Sequence, residues 1–193
     1  KKSSIPFITL QEGLFSITEY NFFSIGHIQN STFGLLWGQG SKSFLCNYET
    51  PKERAFLVGN THLANEIRTL KKNNTRQVKR NAFGVADSFV TALLFSAILH
   101  PPQEFIPIFE AFAGKTEKKL VVIFHPATTR MQIDKWVEQF PEKLKKNVSF
   151  LHGEESTYDM IAMADICVFS DTSTAALEAL AIGRPVFFLR LQS

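Results

Sequence analysis

The chain has 193 residues, of which 45% are apolar, so it can bury the core of one ordinary domain, or of one domain and part of another. Its 21 Lys and Arg residues against 18 Asp and Glu residues leave a net charge of +3, which is too small and too evenly spread to indicate nucleic acid as the main partner. The longest apolar stretch, residues 85–99, is interrupted by polar residues, which excludes a membrane span there.

The first part of the chain predicts three short strands and one helix. Residues 5–10 form an apolar run, and the polar, glycine-bearing segment that starts at Gln11 is predicted as a loop at the carboxyl end of this strand. Loops in that position often hold ligands. The other predicted elements here are strands at residues 33–37 and 55–58 and a helix at residues 62–70.

A basic stretch, residues 68–80, begins in the last residues of the predicted helix and holds six cations among polar residues. It has no apolar periodicity, so residues 73–80 are predicted as a linker between two lobes, residues 1–72 and residues 81–193. Because charge runs are most often solvated, a solvated connector is favoured here over contact with anionic lipid headgroups.

From residue 81 onward, strands alternate with helices, which predicts a parallel sheet covered by helices on both faces. The helix intervals are too short for a closed eight-stranded barrel. In such a doubly wound sheet the ligand lies beyond the carboxyl ends of the strands. The predicted strands are residues 89–97, 120–124, 148–151, 166–170 and 186–189, and the predicted helices are residues 103–113, 132–140, 158–163 and 174–181.

Residues 170–174, with the sequence SDTST, close one predicted strand and open the next helix. Several hydroxyl groups and free backbone N–H groups therefore converge at a helix N-terminus, which is a favourable place for a phosphate. The alternative is that one of these hydroxyls serves only as the N-cap of the helix.

The run from residue 164 to residue 189 resembles the C-terminal nucleotide-sugar-binding domain of GT-B glycosyltransferases. The resemblance rests on the segments ADICVFS, STAALEA and GRPV within that run. It implies an α/β fold of two Rossmann-like parallel-sheet lobes, in which Ser173, Thr174 and their helix hold the phosphates of the donor. It also implies that Glu178 reaches the ribose or the donor sugar, with a capping or salt-bridge role as the alternative.

His125 and Pro126 stand at the tip of the predicted strand 120–124, since Pro126 prevents further pairing. An imidazole there can bind a phosphate oxygen or, when protonated, neutralise a leaving nucleotide; a loop histidine without a ligand is the alternative. The pair resembles the His-Pro motif of bacterial capsule and sialic-acid-type transferases and of polyol-phosphate polymerases. The resemblance places both residues at the donor nucleotide and makes His125 a catalytic residue.

The segment QEGL, directly after the first predicted strand, resembles a loop in the first domain of the same enzymes. The resemblance makes Glu12 the general base that deprotonates the acceptor hydroxyl, a task that suits a carboxylate whose pKa is raised toward neutrality by its cleft. A solvated glutamate in a surface turn is an equal alternative. By the same resemblance, His152 is expected beside the nucleotide base.

The resemblance implies a metal-independent glycosyltransferase of surface polysaccharide synthesis, which moves a sugar or a polyol phosphate to a carbohydrate acceptor. The donor is a CMP-, CDP- or UDP-linked substrate, so no separate cofactor is implied, and the sequence contains no metal-ligand cluster. The first alternative is a non-hydrolysing UDP-sugar 2-epimerase of the same two-lobe fold. The second is a non-catalytic nucleotide-binding or scaffold domain.

Cys46 and Cys167 are far apart and no signal peptide is visible, which favours the cytoplasm, with peripheral contact to the inner face of the membrane as an option. Two complete Rossmann-like domains need about 100 to 150 residues each, and the chain does not begin with Met. We therefore expect the start of the first lobe and the last elements of the second to be missing.

Overall fold

The computed structural model describes residues 8–11, 32–47, 52–96, 99–153, 155–171 and 173–189. The chain forms two compact units, Lys1–Asn65 and Glu66–Ser193, and each contains a parallel sheet of its own. Within the described ranges, every helix is too short or too polar to traverse a lipid bilayer.

The first unit contains a small three-stranded sheet. Its described elements are β1 (Ile8–Leu10), β2 (Phe33–Leu36), α1 (Gln39–Cys46) and β3 (Ala55–Leu57). The strands are parallel, in the order β1-β2-β3, and Leu36, Leu45 and Ala55 form the buried core beneath them. Helix α1 is not predicted from the sequence because its apolar residues, such as Phe44 and Leu45, come only near its end.

The second unit is built around a five-stranded sheet. Its strands are β4 (Phe89–Leu94), β5 (Lys118–Ile123), β6 (Val148–Leu151), β7 (Ile166–Phe169) and β8 (Val186–Phe188). Its helices are α3 (Thr75–Ala82), α4 (Ile106–Phe112), α5 (Arg130–Val137), α6 (Glu142–Lys145), α7 (Thr157–Met163) and α8 (Thr174–Ile182), while α2 (Thr61–Lys72) begins in the first unit. All five strands are parallel, in the order β6-β5-β4-β7-β8, which confirms the predicted α/β fold class.

Apolar side chains cover both faces of the five-stranded sheet, which explains why its strands are near-continuous apolar runs in the sequence. On one face, the ring centroid of Trp136 lies 5.1 to 5.7 Å from those of Phe95, Phe105 and Phe124. The indole N–H of Trp136 donates to the carbonyl of His100 at 2.8 Å, so its one polar atom is satisfied. This aromatic packing anchors the carboxyl ends of β4 and β5.

The basic stretch of residues 68–80 is solvated only in part, because its second half packs as a helix. Asn74, in the left-handed conformation with φ of 49°, separates α2 from α3, so most of the predicted linker is helical. The helical spacing of Arg76, Lys79 and Arg80 places three cations on one face of α3, which packs against α7, and Arg80 is only 7% exposed. The packed face of α3 is cationic rather than apolar, so an apolar pattern could not reveal this helix.

Candidate functional site

A cavity of about 390 Å³ opens at the carboxyl ends of the strands in the second unit. Its walls come from the ends of β4 and β5, the start of α7 and the first turns of α8. From β4, the chain adds β5 and β6 on one side of this strand and then β7 and β8 on the other side. The cavity therefore lies where the strand order reverses. Polar and charged groups in its lining are His125, Ser156, Thr157, Tyr158, Ser173, Thr174 and Glu178.

The N-terminus of α8 forms one wall of this cavity. Ser173 is the N-cap, and its hydroxyl oxygen accepts a hydrogen bond from the N–H of Ala175 at 3.2 Å. The helix then runs for nine residues to Gly183, which ends it in the left-handed conformation with φ of 86°. Because the helix dipole places positive partial charge at this end, the wall favours a bound anion. Ser173 can therefore cap the helix and also lie beside a bound phosphate.

His125 contributes to the same cavity from the tip of β5. His125 and Pro126 begin a tight turn, which the N–H of Thr128 closes by donating to the carbonyl of His125 at 2.9 Å. The N–H of Ala127 donates to Nδ1 of His125 at 3.1 Å, so the neutral ring carries its proton on Nε2. Nε2 is consequently a hydrogen-bond donor in both the neutral and the protonated ring, as a partner of phosphate oxygen should be.

Glu178 lies one turn into α8, where it accepts a hydrogen bond from the hydroxyl of Tyr158 on α7 at 3.0 Å. Burial of the Tyr158 ring, together with the negative charges of Glu178 and Glu66, raises the pKa of Tyr158 well above its usual range. The phenol therefore stays protonated and keeps the Glu178 carboxylate oriented. The two side chains form a hydrogen-bonded pair in the cavity wall, which the sequence does not reveal.

Lys79 holds the segment that leads into α7. Its ammonium group pairs with the carboxylates of Glu155 and Asp159, the latter at 3.1 Å. Glu155 directly precedes the cavity residues Ser156 and Thr157, and Asp159 follows them by two residues, so the ion pairs bracket this wall from outside the cavity. Sequence analysis missed Lys79, although the spacing of the two carboxylates, four residues apart at a helix start, suits a shared cation.

His152 lines a neighbouring cavity of about 280 Å³, together with Arg130 and Asp134. Phe124 lines both this cavity and the cavity of His125. Its Nε2 is buried and has no hydrogen-bond partner among the described residues. The role expected for His152 beside the nucleotide base stays a prediction.

Glu12 lies outside the described residues, so its expected role as general base also stays a prediction. The preceding residue, Gln11, is buried, and its side-chain carbonyl accepts a hydrogen bond from the N–H of Trp37 at 2.9 Å. Gln11, directly after β1, is thus tied to the residue that follows β2.

Several solved structures are similar to this chain. UDP-GlcNAc 2-epimerase from Neisseria meningitidis, bound to UDP-GlcNAc, has a TM-score of 0.71 at 18% identity over 98% of this chain and 54% of the epimerase. The wall teichoic acid polymerase TagF has a TM-score of 0.65 at 11% identity over 98% of this chain and 50% of TagF. Anabaena HepE, in complex with UDP and glucose, has a TM-score of 0.56 at 16% identity over 94% of this chain and 52% of HepE.

No family model and no curated protein matches the chain. The chain spans about half the length of the solved structures that it resembles. At 11% to 18% identity, these likenesses establish the fold and not the activity. The chain has the Rossmann-like, parallel-sheet α/β architecture of GT-B proteins.

Proposed function

We propose that the second unit binds the phosphate groups of a nucleotide-linked donor, and that the protein transfers a sugar or a polyol phosphate from this donor to a carbohydrate acceptor of a surface polysaccharide. The observation that carries the proposal is that His125 and the N-terminus of α8 line the same cavity at the carboxyl edge of the sheet. A doubly wound sheet holds its ligand at this edge.

The polar groups of the cavity suit the leaving group of such a transfer. The nucleotide leaves with more negative charge on its phosphate than it carries in the donor, so fixed donors near that oxygen stabilise the transition state. The α8 N-terminus, the Ser173 hydroxyl and the His125 Nε2–H are such donors. The carboxylate of Glu178 and the hydroxyl of Thr157 line the same cavity and are suited to binding hydroxyl groups of the ribose or sugar.

A UDP-sugar 2-epimerase is the second candidate. One observation favours it, because the Neisseria epimerase has a higher TM-score against this chain, 0.71, than TagF, 0.65, or HepE, 0.56. An epimerase would bind its donor phosphates in the same cavity, but it would return the sugar to the nucleotide instead of transferring it to an acceptor.

Product analysis separates these candidates. With a UDP-sugar and no acceptor, a 2-epimerase is expected to form the epimeric UDP-sugar, whereas a transferase is expected to release nucleotide only slowly. With the correct acceptor, the transferase is expected to release nucleotide in step with glycosylated acceptor. Formation of the epimer without acceptor would refute the transferase proposal, and nucleotide binding without turnover in the protein at its full natural length would favour a non-catalytic domain.

Replacement of Ser173 by Asp tests the phosphate site without removing the helix cap. Asp caps helices as well as Ser does, so we expect the melting temperature without ligand to stay within about 2 °C of the wild type. The added carboxylate would repel a phosphate, so we expect the Kd for nucleotide to rise by about 10-fold or more. The ligand is whichever of CMP, CDP, UDP and GDP raises the wild-type melting temperature most.

Ser173→Asn is the matched control, since it keeps the cap and the size of Asp without the charge. We expect its nucleotide Kd to stay within about 3-fold of the wild type. Equal nucleotide Kd values for the Asp and Asn variants would place the phosphate elsewhere and would contradict the proposed site.

A further inference from the structure

A third cavity, of about 210 Å³, lies near the amino-terminal edge of the five-stranded sheet. Arg184, which lines it, stands two residues before β8, and Ala162 is at the end of α7. This cavity therefore lies at the opposite edge of the sheet from the cavity that contains His125. Its charged lining residues are the cations Lys71, Arg76 and Arg184.

The described residues around this cavity carry more positive charge than negative charge. Arg76 and Arg80 share a single carboxylate, that of Asp165, at 2.5 Å and 3.1 Å. Arg184 adds a third guanidinium group and forms no salt bridge with a described residue, while Lys71 adds an ammonium group at the cavity rim. These described groups thus comprise four cations and one carboxylate.

One hydrogen-bond donor of the Arg184 side chain is unsatisfied. Its Nε is buried and has no hydrogen-bond partner among the described residues. Burial, together with the positive charge of Arg76, lowers the pKa of Arg184 from its usual value. A half-buried guanidinium whose Nε–H is buried and unsatisfied beside other cations is unfavourable unless an anion comes from elsewhere.

We propose that this cavity binds a phosphate monoester. Guanidinium groups bind phosphate oxygens through paired N–H donors, and a dianion would offset the excess positive charge better than a single carboxylate. The side chains of Ile67, Leu70 and Ile182 form an apolar wall that can receive the carbon part of the ligand. Because no described residue lines both this cavity and the one at His125, the inference does not rest on the proposed function.

The experiment measures binding of glycerol phosphate and inorganic phosphate by calorimetry and by the rise in melting temperature. We expect both to bind the wild type, and Arg184→Met to weaken binding by about 10-fold or more. Lys71→Met, at an exposed position, is expected to weaken it less. The control is Arg130→Met, which removes the same charge from an exposed arginine and is expected to leave binding unchanged.

Stability without phosphate provides a second readout. We expect Arg184→Met to keep or raise the melting temperature in phosphate-free buffer, because it removes an unpaired cation from beside Arg76. A structural role of Arg184 would instead make the melting temperature fall. That fall, or equal phosphate binding by the wild type and by Arg184→Met, would overturn the inference.

Two further measurements identify the source of the phosphate and distinguish binding at the Arg184 cavity from binding at the His125 cavity. Co-sedimentation with phosphatidylcholine vesicles that depends on phosphatidic acid and on Arg184 would identify a lipid headgroup, whereas binding of glycerol phosphate without vesicle binding would identify a soluble ester. In the Ser173→Asp variant, we expect Arg184-dependent phosphate binding to persist. Loss of that binding in Ser173→Asp would show that the phosphate occupies the other cavity and would refute this one.

Discussion

Replacement of Asp165 by Ala is expected to lower the free energy of unfolding by about 3 to 5 kcal/mol. The Asp165 carboxylate accepts hydrogen bonds from the N–H of Val90 at 2.7 Å and from the guanidinium groups of Arg80 and Arg76 at 3.1 and 2.5 Å. Its removal leaves Arg80, which is 7% exposed, buried beside another cation without a counter-charge. Urea denaturation of both proteins at pH 7 measures the difference.

The effect of Asp165 should depend on pH in a defined direction. Burial by itself would raise the pKa of Asp165, but the Val90 N–H and the guanidinium groups of Arg80 and Arg76 outweigh it and hold the pKa below its usual value. A carboxyl whose pKa is lowered by folding contributes its full stability above its unfolded pKa of about 3.9, and loses it as the pH falls through the folded pKa. The difference between wild type and Asp165→Ala should therefore shrink below about pH 4.

Asp134→Ala is the matched control for Asp165→Ala. Asp134 pairs with Arg130 at 3.1 Å in an exposed i, i+4 arrangement, so its loss is expected to cost at most about 0.5 kcal/mol. An Asp165→Ala variant that is destabilised no more than Asp134→Ala would contradict the prediction. The ion pairs of Arg76 and Arg80 with Asp165 would then not stabilise the packing of α3.

Replacement of His125 by Ala is expected to lower kcat about 100-fold, which corresponds to about 3 kcal/mol. This holds if the His125 Nε2–H stabilises negative charge that develops on the leaving phosphate, because that interaction is stronger in the transition state than in the bound donor. If His125 only anchors the nucleotide, the donor KM should rise while kcat stays nearly unchanged. Steady-state kinetics on the protein at its full natural length distinguish the two.

His152→Ala provides the comparison for His125→Ala. His152 borders a different cavity, so we expect its loss to leave kcat within a few-fold of the wild type, with a rise in donor KM only if it contacts the base. A His125→Ala enzyme with the kcat and KM of the wild type would remove both roles proposed for His125 and would leave the α8 N-terminus as the only support for the phosphate site.

The sequence alone determined the alternation of strands and helices in the second unit. Each of its five strands is predominantly apolar, and the observed bounds, such as Val148–Leu151 for β6, agree with the predicted ones to within a few residues. The meeting of His125, Ser173 and Thr174 in one cavity also follows from sequence, since the carboxyl ends of parallel strands lie at one edge of the sheet. These features are readable because they depend on local periodicity and on helix-start residues.

Only the tertiary structure decided the charged contacts. Arg76 and Arg80 meet Asp165 across 89 and 85 residues of sequence, and Lys79 meets Glu155 across 76. No local pattern predicts such pairs, and they make the packed face of α3 charged, so that its helix reads as a polar connector. The pairing of Tyr158 with Glu178 and the position of His152 in a neighbouring cavity were likewise decided by packing. Apolar periodicity indicates which side chains face a core, whereas the partner of a buried charge depends on which elements the fold brings together.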